Sequence, residues 1–265
     1  MNEFRHVRRL VVKVGSSSLT YRTGMINIRR VERLCKVISD IKNSGVEVVL
    51  VSSGAIAVGT AKLGLACRPS TIPEKQAAAA VGQCELMYIY DKYFTEYHHK
   101  TAQVLLTRDV VEDAKRRENA RNTFESLLCL GAIPIVNEND TVSTEEIEFG
   151  DNDTLSALVA EITGADGLVL MSDIDGLYTA NPNEDPNARL IPRVADITPD
   201  IEALAGGAGS EHGTGGMTTK LQAARIARAA GCVMAIVNSD RAENLYDLLD
   251  GTPVGTIFET ENTNE

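Results

Sequence analysis

The sequence lacks any segment suited to crossing a membrane or directing secretion. No stretch approaches the roughly 20 apolar residues that a transmembrane helix needs. The first six residues, MNEFRH, contain no apolar region of the kind found in a signal peptide. We therefore expect a cytoplasmic protein with no membrane partner.

Cysteine pairs of the kind that hold zinc or build a disulfide framework are also missing. The five cysteines are odd in number, scattered along the chain and free of CxxC spacing. This pattern argues against a structural zinc site and favours a reducing cytoplasm. The cysteines are Cys35, Cys67, Cys84, Cys129 and Cys232.

Positive charge is scarce. The 26 Lys and Arg residues are outnumbered by 37 Asp and Glu residues, which gives a formal net charge of −11. A nucleic-acid surface needs a basic footprint, so we expect no nucleic-acid partner. An acidic protein can still bind anions where lysines, backbone N–H groups and helix N-termini build local positive sites.

The sequence does contain a regular alternation of apolar runs with segments of helical periodicity. Its 43% of hydrophobic residues can bury a sizeable core. Because the runs are continuous rather than alternating, they predict a parallel sheet with helices on both faces. The simplest interpretation is one α/β domain covering residues 1–265. The predicted strands are 10–14, 47–52, 102–106, 132–136, 167–171 and 232–237. The predicted longer helices begin near residues 28, 74 and 119, after residue 151, and at residue 217.

Ligands of such sheets bind at the carboxyl ends of the strands. Two polar segments at these ends fit a ligand-binding role no better than a purely structural role. Lys13 precedes Gly15 and three serines, an arrangement that suits a phosphate oxygen although no Walker A motif is present. A lysine at a sheet edge before an ordinary turn explains it equally well. The segment 52–59 runs from a strand through Gly54 into a helix start that attracts anions, but such turns are commonly only structural.

Two further segments favour function. Asn137–Thr141 and Gly150–Thr154 are rich in amide and acidic side chains, more than helix capping requires. Carboxylates would suit an ammonium group, and amides a carboxylate. Gly213–Lys220 leads a glycine-rich stretch into a helix that carries two threonines and a lysine in its first turns, which suits a phosphate. The whole stretch 206–216 is expected to be a mobile loop.

No histidine is a convincing catalyst, since His6, His98 and His99 are expected at the surface and His212 lies in the glycine-rich loop. A carboxylate nucleophile needs no general base, because it is already ionised at neutral pH. Phosphoryl transfer to a carboxylate is therefore compatible with this residue set.

Taken together, these segments resemble the amino acid kinase family over essentially the whole chain. The resemblance implies a three-layer αβα sandwich around a mainly parallel sheet of about eight strands. It places a glutamate site in residues 1–165 and a nucleotide site in residues 166–265. The motifs that carry it are Val11–Ser16, Val51–Ile56, Leu106–Arg108, Asn137–Asp140, Gly150–Asp153, Asp175–Thr179, Gly213–Lys220 and Val254–Phe258.

The resemblance also implies an activity and roles for single residues. The expected reaction is ATP-dependent, Mg²⁺-requiring phosphorylation of the γ-carboxylate of L-glutamate, the first step of proline biosynthesis. Lys13 and Lys220 are expected to stabilise the transferring phosphoryl group, and Asp153 to orient both lysines. The expected glutamate contacts are Ser53, Asp140 and Asn152. The expected ATP contacts are Lys13, Ser172, Asp173, Thr214, Gly215, Gly216, Met217, Thr218, Thr219 and Lys220, and the metal contacts are left open.

Several expectations rest on the resemblance alone. They are feedback inhibition by proline, a homo-oligomer (dimer or tetramer), and passage of the product to a glutamyl phosphate reductase. Many relatives carry a C-terminal PUA domain, which this chain is expected to lack. Ser172 stands where threonine is frequent, a conservative difference. The alternatives are a family kinase acting on N-acetylglutamate, aspartate, carbamate or UMP, and a non-catalytic amino-acid or nucleotide sensor.

Overall fold

The computed structural model describes residues 3–107, 110, 113–142, 152–182, 184–205 and 216–261. Eight strands form one sheet in the order β3-β4-β2-β1-β5-β7-β8-β6. The strands are β1 (Arg9–Val14), β2 (Glu47–Val51), β3 (Lys100–Leu106), β4 (Ala132–Glu138), β5 (Gly167–Ser172), β6 (Arg193–Val194), β7 (Val233–Asn238) and β8 (Thr256–Phe258).

Six neighbouring strands, from β3 to β7 in the sheet order, run parallel. β8 pairs with β7 in the antiparallel sense, and β6 runs parallel to β8 at the edge. The carboxyl ends of the six parallel strands therefore lie along one side of the sheet, where ligands of α/β proteins bind.

Helices cover both faces of the sheet. The described helices of at least one α-helical turn are α1 (Ser16–Leu19), α2 (Ile28–Asn43), α3 (Ala55–Lys62), α4 (Ile72–Glu96), α5 (Ala114–Cys129), α6 (Asp153–Thr163), α7 (Pro199–Ala205), α8 (Met217–Ala229) and α9 (Asn244–Asp250). Helix starts follow local capping chemistry. Asn27 accepts a hydrogen bond from Arg30 N at α2, and Asp113 accepts one from Arg116 N at α5.

Each face of the sheet has its own core. In β1, Leu10, Val12 and Val14 pack on the side of α2, α4 and α9, whereas Val11 packs on the side of α5, α6 and α8. Successive side chains of a strand point to opposite faces, and here both faces are apolar. This double burial explains the continuous apolar runs in the sequence.

The predicted α/β class and the eight-stranded, mainly parallel sandwich are confirmed. Several predicted boundaries were wrong: α4 begins at Ile72 rather than near 74, α5 at Ala114 rather than near 119, and β3 at Lys100 rather than 102. The polar first turn of α5, Ala-Lys-Arg-Arg, hid its helical character because it carries no apolar stripe. β6 and β8 span two and three residues and leave too short a pattern to detect.

A close helix crossing fixes the position of α3 beside the sheet edge. A Cβ atom on Gly59 of α3 would lie 1.7 Å from the carbonyl oxygen of Ala78, and one on Gly82 of α4 would lie 1.8 Å from that of Ala55. Only glycine permits such an approach of two backbones. The start of α3, which follows Ser53 and Gly54, is thereby held against α4.

Among the described helices, none combines the length and apolarity needed to cross a membrane. All five cysteines are free thiols in this structure.

Candidate active site

A cleft of about 820 Å³ opens at the carboxyl ends of the parallel strands. It collects expected site residues from distant parts of the sequence. From the first half of the chain come Lys13, Ser53, Asp140 and Asn152, and from the second half come Ser172, Asp173 and Lys220. The sheet topology produces this convergence, because β1, β2, β4 and β5 are neighbours and end on the same side.

Two lysines that line the cleft share one buried carboxylate. Asp153, the first residue of α6, is fully buried. Lys13 Nζ from β1 donates to its Oδ1, and Lys220 Nζ from α8 donates to its Oδ2 at 3.0 Å. Both lysines are nearly buried as well, at 7% and 5% exposure. The arrangement brings together residues that are 67 to 140 positions apart in sequence.

The electrostatics of this group keep the carboxylate charged. Burial alone would raise the pKa of Asp153, but the charges and hydrogen bonds of Lys13 and Lys220 outweigh it and hold the pKa well below its usual range. Asp153 is therefore ionised at neutral pH. Its negative charge holds both lysines close together, and lysine binds phosphate as a point charge.

Thr219 completes the ring of donors around Asp153. Its Oγ1 lies 3.2 Å from Asp153 Oδ2 and 2.8 Å from the carbonyl oxygen of Gly216, the residue that precedes α8. These contacts fix the start of α8 relative to the start of α6. The positively polarised N-termini of the two helices thus meet in one region.

The expected glutamate contacts lie at the ends of β2 and β4. Asn152, 3% exposed, uses Nδ2 to reach Ser52 O at 2.6 Å, Ser53 Oγ at 3.0 Å and Asn137 Oδ1 at 2.8 Å. Asn152 thus ties the carboxyl end of β2 to that of β4. Ser53 and Asn152 touch each other, and both line the cleft with Asp140.

Asp140 has a carboxyl group that is unusually easy to protonate. Burial raises its pKa to about 6, and the nearby Glu138 contributes in the same direction. A cation placed in the cleft would reverse this effect by stabilising the carboxylate. The site is therefore suited to a substrate that carries a positive group.

The expected nucleotide contacts are placed in part. Ser172 ends β5 and donates to Asp173 Oδ1 at 3.1 Å, and both residues line the cleft. Met217 is partly buried against the core, and the neighbouring Thr218 is exposed on the first turn of α8. Residues 206–215 of the proposed mobile loop 206–216, which include Thr214 and Gly215, lie outside the described residues, as do Arg108 and the segment 143–151.

Some features of the cleft escaped the sequence analysis. The stretch after Lys13 is not an ordinary turn but the short helix α1, and Ser18 N donates to Gly15 O at 3.1 Å. A hairpin at residues 20–24 and the segment 65–68 form further walls. Two side chains of α4 contact the carboxyl ends of the strands. Gln83 contacts Asn137 of β4, and Tyr90 contacts Ser52, which follows β2. Helical periodicity assigns such residues only to a face, and no local motif marked them.

The described part of the chain contains no cluster of side chains that could serve as a set of protein ligands for Mg²⁺. No group of three His, Cys, Asp or Glu side chains there could hold a metal ion. Asp153, which both lysines contact, is fully buried and does not line the cleft.

The chain is similar to known proteins in both sequence and fold. The model of the amino acid kinase family matches residues 8–238. The chain belongs to the amino acid kinase family. The family match includes every described residue of the cleft that the sequence analysis selected.

Curated relatives within the family are similar along almost the whole chain. A glutamate 5-kinase of Clostridium perfringens is 55% identical over 255 residues, 95% of this chain and 95% of that protein. A glutamate 5-kinase of Listeria welshimeri is 54% identical over 258 residues, 96% of this chain and 94% of that protein. One of Carboxydothermus hydrogenoformans is 56% identical, and the match covers 96% of this chain and 68% of that protein.

Solved structures confirm the family fold. An isopentenyl phosphate kinase of T. acidophilum superposes with a TM-score of 0.64 at 15% identity, over 95% of this chain and all of that one. A carbamate kinase of Giardia lamblia gives a TM-score of 0.67 at 16% identity, over 97% of this chain and 99% of that one. At such low identity the likeness concerns the fold alone.

Proposed function

We propose that this protein transfers the γ-phosphoryl group of ATP to the γ-carboxylate of L-glutamate, giving L-glutamyl 5-phosphate and ADP. The observation that carries the proposal is the buried Lys13–Asp153–Lys220 group, which shares one cleft with Asp140 and Asn152. The relatives named glutamate 5-kinase, at 54–56% identity, support the same reaction. The reaction is the first step of proline biosynthesis.

In the proposed mechanism, a γ-carboxylate oxygen of glutamate attacks the γ-phosphorus of ATP. The bond from that phosphorus to the bridging oxygen breaks, and its electron pair leaves with ADP. Lys13 and Lys220 stabilise the negative charge on the oxygens of the transferring group. Asp153 acts as a positioning residue, because it binds both ammonium groups and holds them in the cleft.

The nucleophile needs no proton acceptor, since a carboxylate is ionised at neutral pH. None of the three described histidines lines the cleft. The protein is then required to orient the two substrates and to neutralise charge, which is the main demand of phosphoryl transfer.

In the first half of the chain, residues 1–165, we assign glutamate recognition to Ser53, Asp140 and Asn152. Asp140 supplies a carboxylate for the substrate ammonium, and that positive charge would offset the burial and the nearby Glu138 that raise the pKa of Asp140. Ser53 Oγ and the N-terminus of α3 provide donors for a substrate carboxylate.

In the second half, residues 166–265, we assign nucleotide binding. Ser172 and Asp173 stand at the end of β5, and Lys220 lies on the first turn of α8. Gly216, Met217, Thr218 and Thr219 belong to the same helix start. Thr214 and Gly215 are proposed as further nucleotide contacts on the basis of the sequence alone. Mg²⁺ bound to ATP would neutralise phosphate charge.

The wider context is proposed from the family resemblance. It includes a cytoplasmic location, inhibition by proline, a homo-oligomeric state, and a reductase that consumes the product. An acyl phosphate is labile, so a protein that takes it up directly would limit its loss by hydrolysis.

The decisive experiment measures ATP consumption with L-glutamate or N-acetylglutamate, in the presence of hydroxylamine to trap an acyl phosphate. We expect hydroxamate from L-glutamate and none from N-acetylglutamate. Hydroxamate from N-acetylglutamate alone would move the substrate within the family. No hydroxamate and no ATP consumption with either compound would favour a non-catalytic sensor.

A further inference from the structure

Three side-chain amides are linked by hydrogen bonds into a chain at the wall of the cleft, two of them from the lining residues Asn137 and Asn152 and one from the partly buried Gln83. Gln83 Oε1, on α4, accepts a hydrogen bond from Asn137 Nδ2 at 2.9 Å. Asn137 Oδ1 in turn accepts from Asn152 Nδ2 at 2.8 Å and from Glu138 N at 3.0 Å. Asn137 and Asn152 are 2% and 3% exposed, so water cannot easily replace these partners.

The hydrogen bonds of Asn152 determine which end of its side-chain amide faces the protein. Its Nδ2 also donates to the main-chain oxygen of Ser52 at 2.6 Å. A carbonyl oxygen accepts only, so the NH₂ end must face Ser52 and Asn137 Oδ1. Within the described part of the chain, Asn152 Oδ1 is then a buried acceptor with no hydrogen-bond partner.

An unsatisfied buried acceptor is costly and calls for an explanation. Asn152 lines the cleft together with Asp140 and Ser53. A ligand that brings an N–H donor would satisfy its Oδ1 and face the carboxylate of Asp140 in the same region. The ammonium of an amino acid is such a donor.

We propose that Gln83 is a positioning residue that makes the site selective for a free ammonium group. Gln83 accepts from Nδ2 of Asn137 and, together with Glu138 N, holds the Asn137 amide. Asn137 Oδ1 and the main-chain oxygen of Ser52 then hold Asn152 with Oδ1 as an acceptor for the substrate N–H. This inference rests on the proposed glutamate kinase function and adds a residue outside the cleft wall to it.

The location of Gln83 supports this role. It follows Gly82, whose contact with Ala55 and Gly59 locks the register of α4 against α3. Two turns along α4, Tyr90 hydroxyl lies 2.9 Å from Ser52 Oγ, on the same helix face. α4 therefore holds the ends of both β2 and β4, but only Gln83 belongs to the amide chain.

The test compares L-glutamate with glutarate, which has both carboxylates and no ammonium, by hydroxamate formation at saturating MgATP. Gln83→Met keeps the size of the side chain and removes its acceptor. We expect the ratio of kcat/KM for glutamate to that for glutarate to fall about tenfold, through KM for glutamate. Gln83→Ala serves as a second variant with the same expectation if the first one folds poorly.

Two matched variants separate positioning from general stability. Gln83→Glu retains an acceptor oxygen and should keep the ratio within roughly threefold of the parent. Tyr90→Phe removes a buried hydrogen bond on the same helix without touching the amide chain, so it should lower the melting temperature and leave the ratio unchanged.

An unchanged ratio in both Gln83→Met and Gln83→Ala, or an equal loss for glutamate and glutarate, overturns the inference and leaves the proposed function intact. Absence of hydroxamate from L-glutamate with the parent protein overturns the proposed function, and the inference with it. If the ratio of kcat/KM for glutamate to that for glutarate falls in Gln83→Met and stays near the parent value in Gln83→Glu, the result supports both the inference and the proposed function.

Discussion

The ammonium of Lys220 lies 3.0 Å from Oδ2 of Asp153, although the two residues are 67 positions apart and both are buried. Lys13 occupies the other oxygen of the same carboxylate. Burying two positive charges and one negative charge is unfavourable unless each is closely paired. A site that retains this combination is suited to receive further negative charge, as phosphoryl transfer requires.

Replacement of Lys220 by alanine tests its assigned role. Lys220→Ala should lower kcat by roughly 100-fold or more, since it removes a charge that acts mainly in the transition state. The fold should persist, because Lys13 and Thr219 still contact Asp153. Steady-state kinetics and circular dichroism check both points. Lys92→Ala, at an exposed position on α4, is the matched control, and near-normal turnover in Lys220→Ala would falsify the assignment.

Replacement of Asp153 by asparagine tests the electrostatic arrangement. Asp153→Asn keeps the shape of the side chain but leaves the buried Lys13 and Lys220 without their shared negative charge. The free energy of unfolding should fall by about 3 kcal/mol at pH 7, measured by urea denaturation. Asp240→Asn removes one member of an exposed ion pair with Arg30 and should change stability by less than about 1 kcal/mol. Equal effects in the two variants would contradict the shared-charge model.

The raised pKa of Asp140 predicts a pH-dependent affinity for glutamate. With a pKa of about 6 in the free protein, the carboxylate is ionised at pH 8 and mostly protonated at pH 5. Because only the ionised form attracts an ammonium, KM for glutamate should rise about tenfold between pH 8 and pH 5. Initial rates at saturating MgATP measure this change.

Asp140→Asn provides the control for this pH effect. The variant should have a raised KM for glutamate already at pH 8 and a weaker dependence on pH below 7. If the pH profile of KM is the same in parent and variant, another group is responsible and Asp140 is not the ammonium partner.

The glycine contact between α3 and α4 predicts a link between packing and substrate binding. In Gly82→Ala the added methyl group would meet the carbonyl of Ala55 at 1.8 Å, which forces the helices apart. We expect a loss of about 2 kcal/mol in stability and a higher KM for glutamate, since α3 begins beside Ser53. Chemical denaturation and kinetics measure the two effects.

Gly216→Ala is the matched control for stability. A Cβ atom there meets nothing within 4 Å, and its backbone angles, φ −69° and ψ 176°, suit alanine. Stability should stay the same or rise slightly. If Gly82→Ala is as stable as Gly216→Ala, the close crossing does not constrain α3.

The sequence by itself determined the class of fold and the kind of chemistry. Val11–Val14 and similar runs are apolar on both faces, and this pattern is compatible with a covered parallel sheet and little else. Lys13 alone was ambiguous in the sequence, and the roles expected of Lys13, Asp153 and Lys220 came from the resemblance to the amino acid kinase family. The edge of the sheet, where β8 pairs antiparallel with β7 and β6 runs parallel to β8, was not recognisable, since two or three residues carry no detectable period.

Only the tertiary structure decided how these residues are connected. That one carboxylate binds both lysines depends on the order in which strands pair, which local patterns do not encode. The same holds for Gln83, Asn137 and Asn152, whose amides meet because α4 packs against the ends of β2 and β4. The direction of an amide follows from its hydrogen-bond partners, and those partners are set by long-range packing.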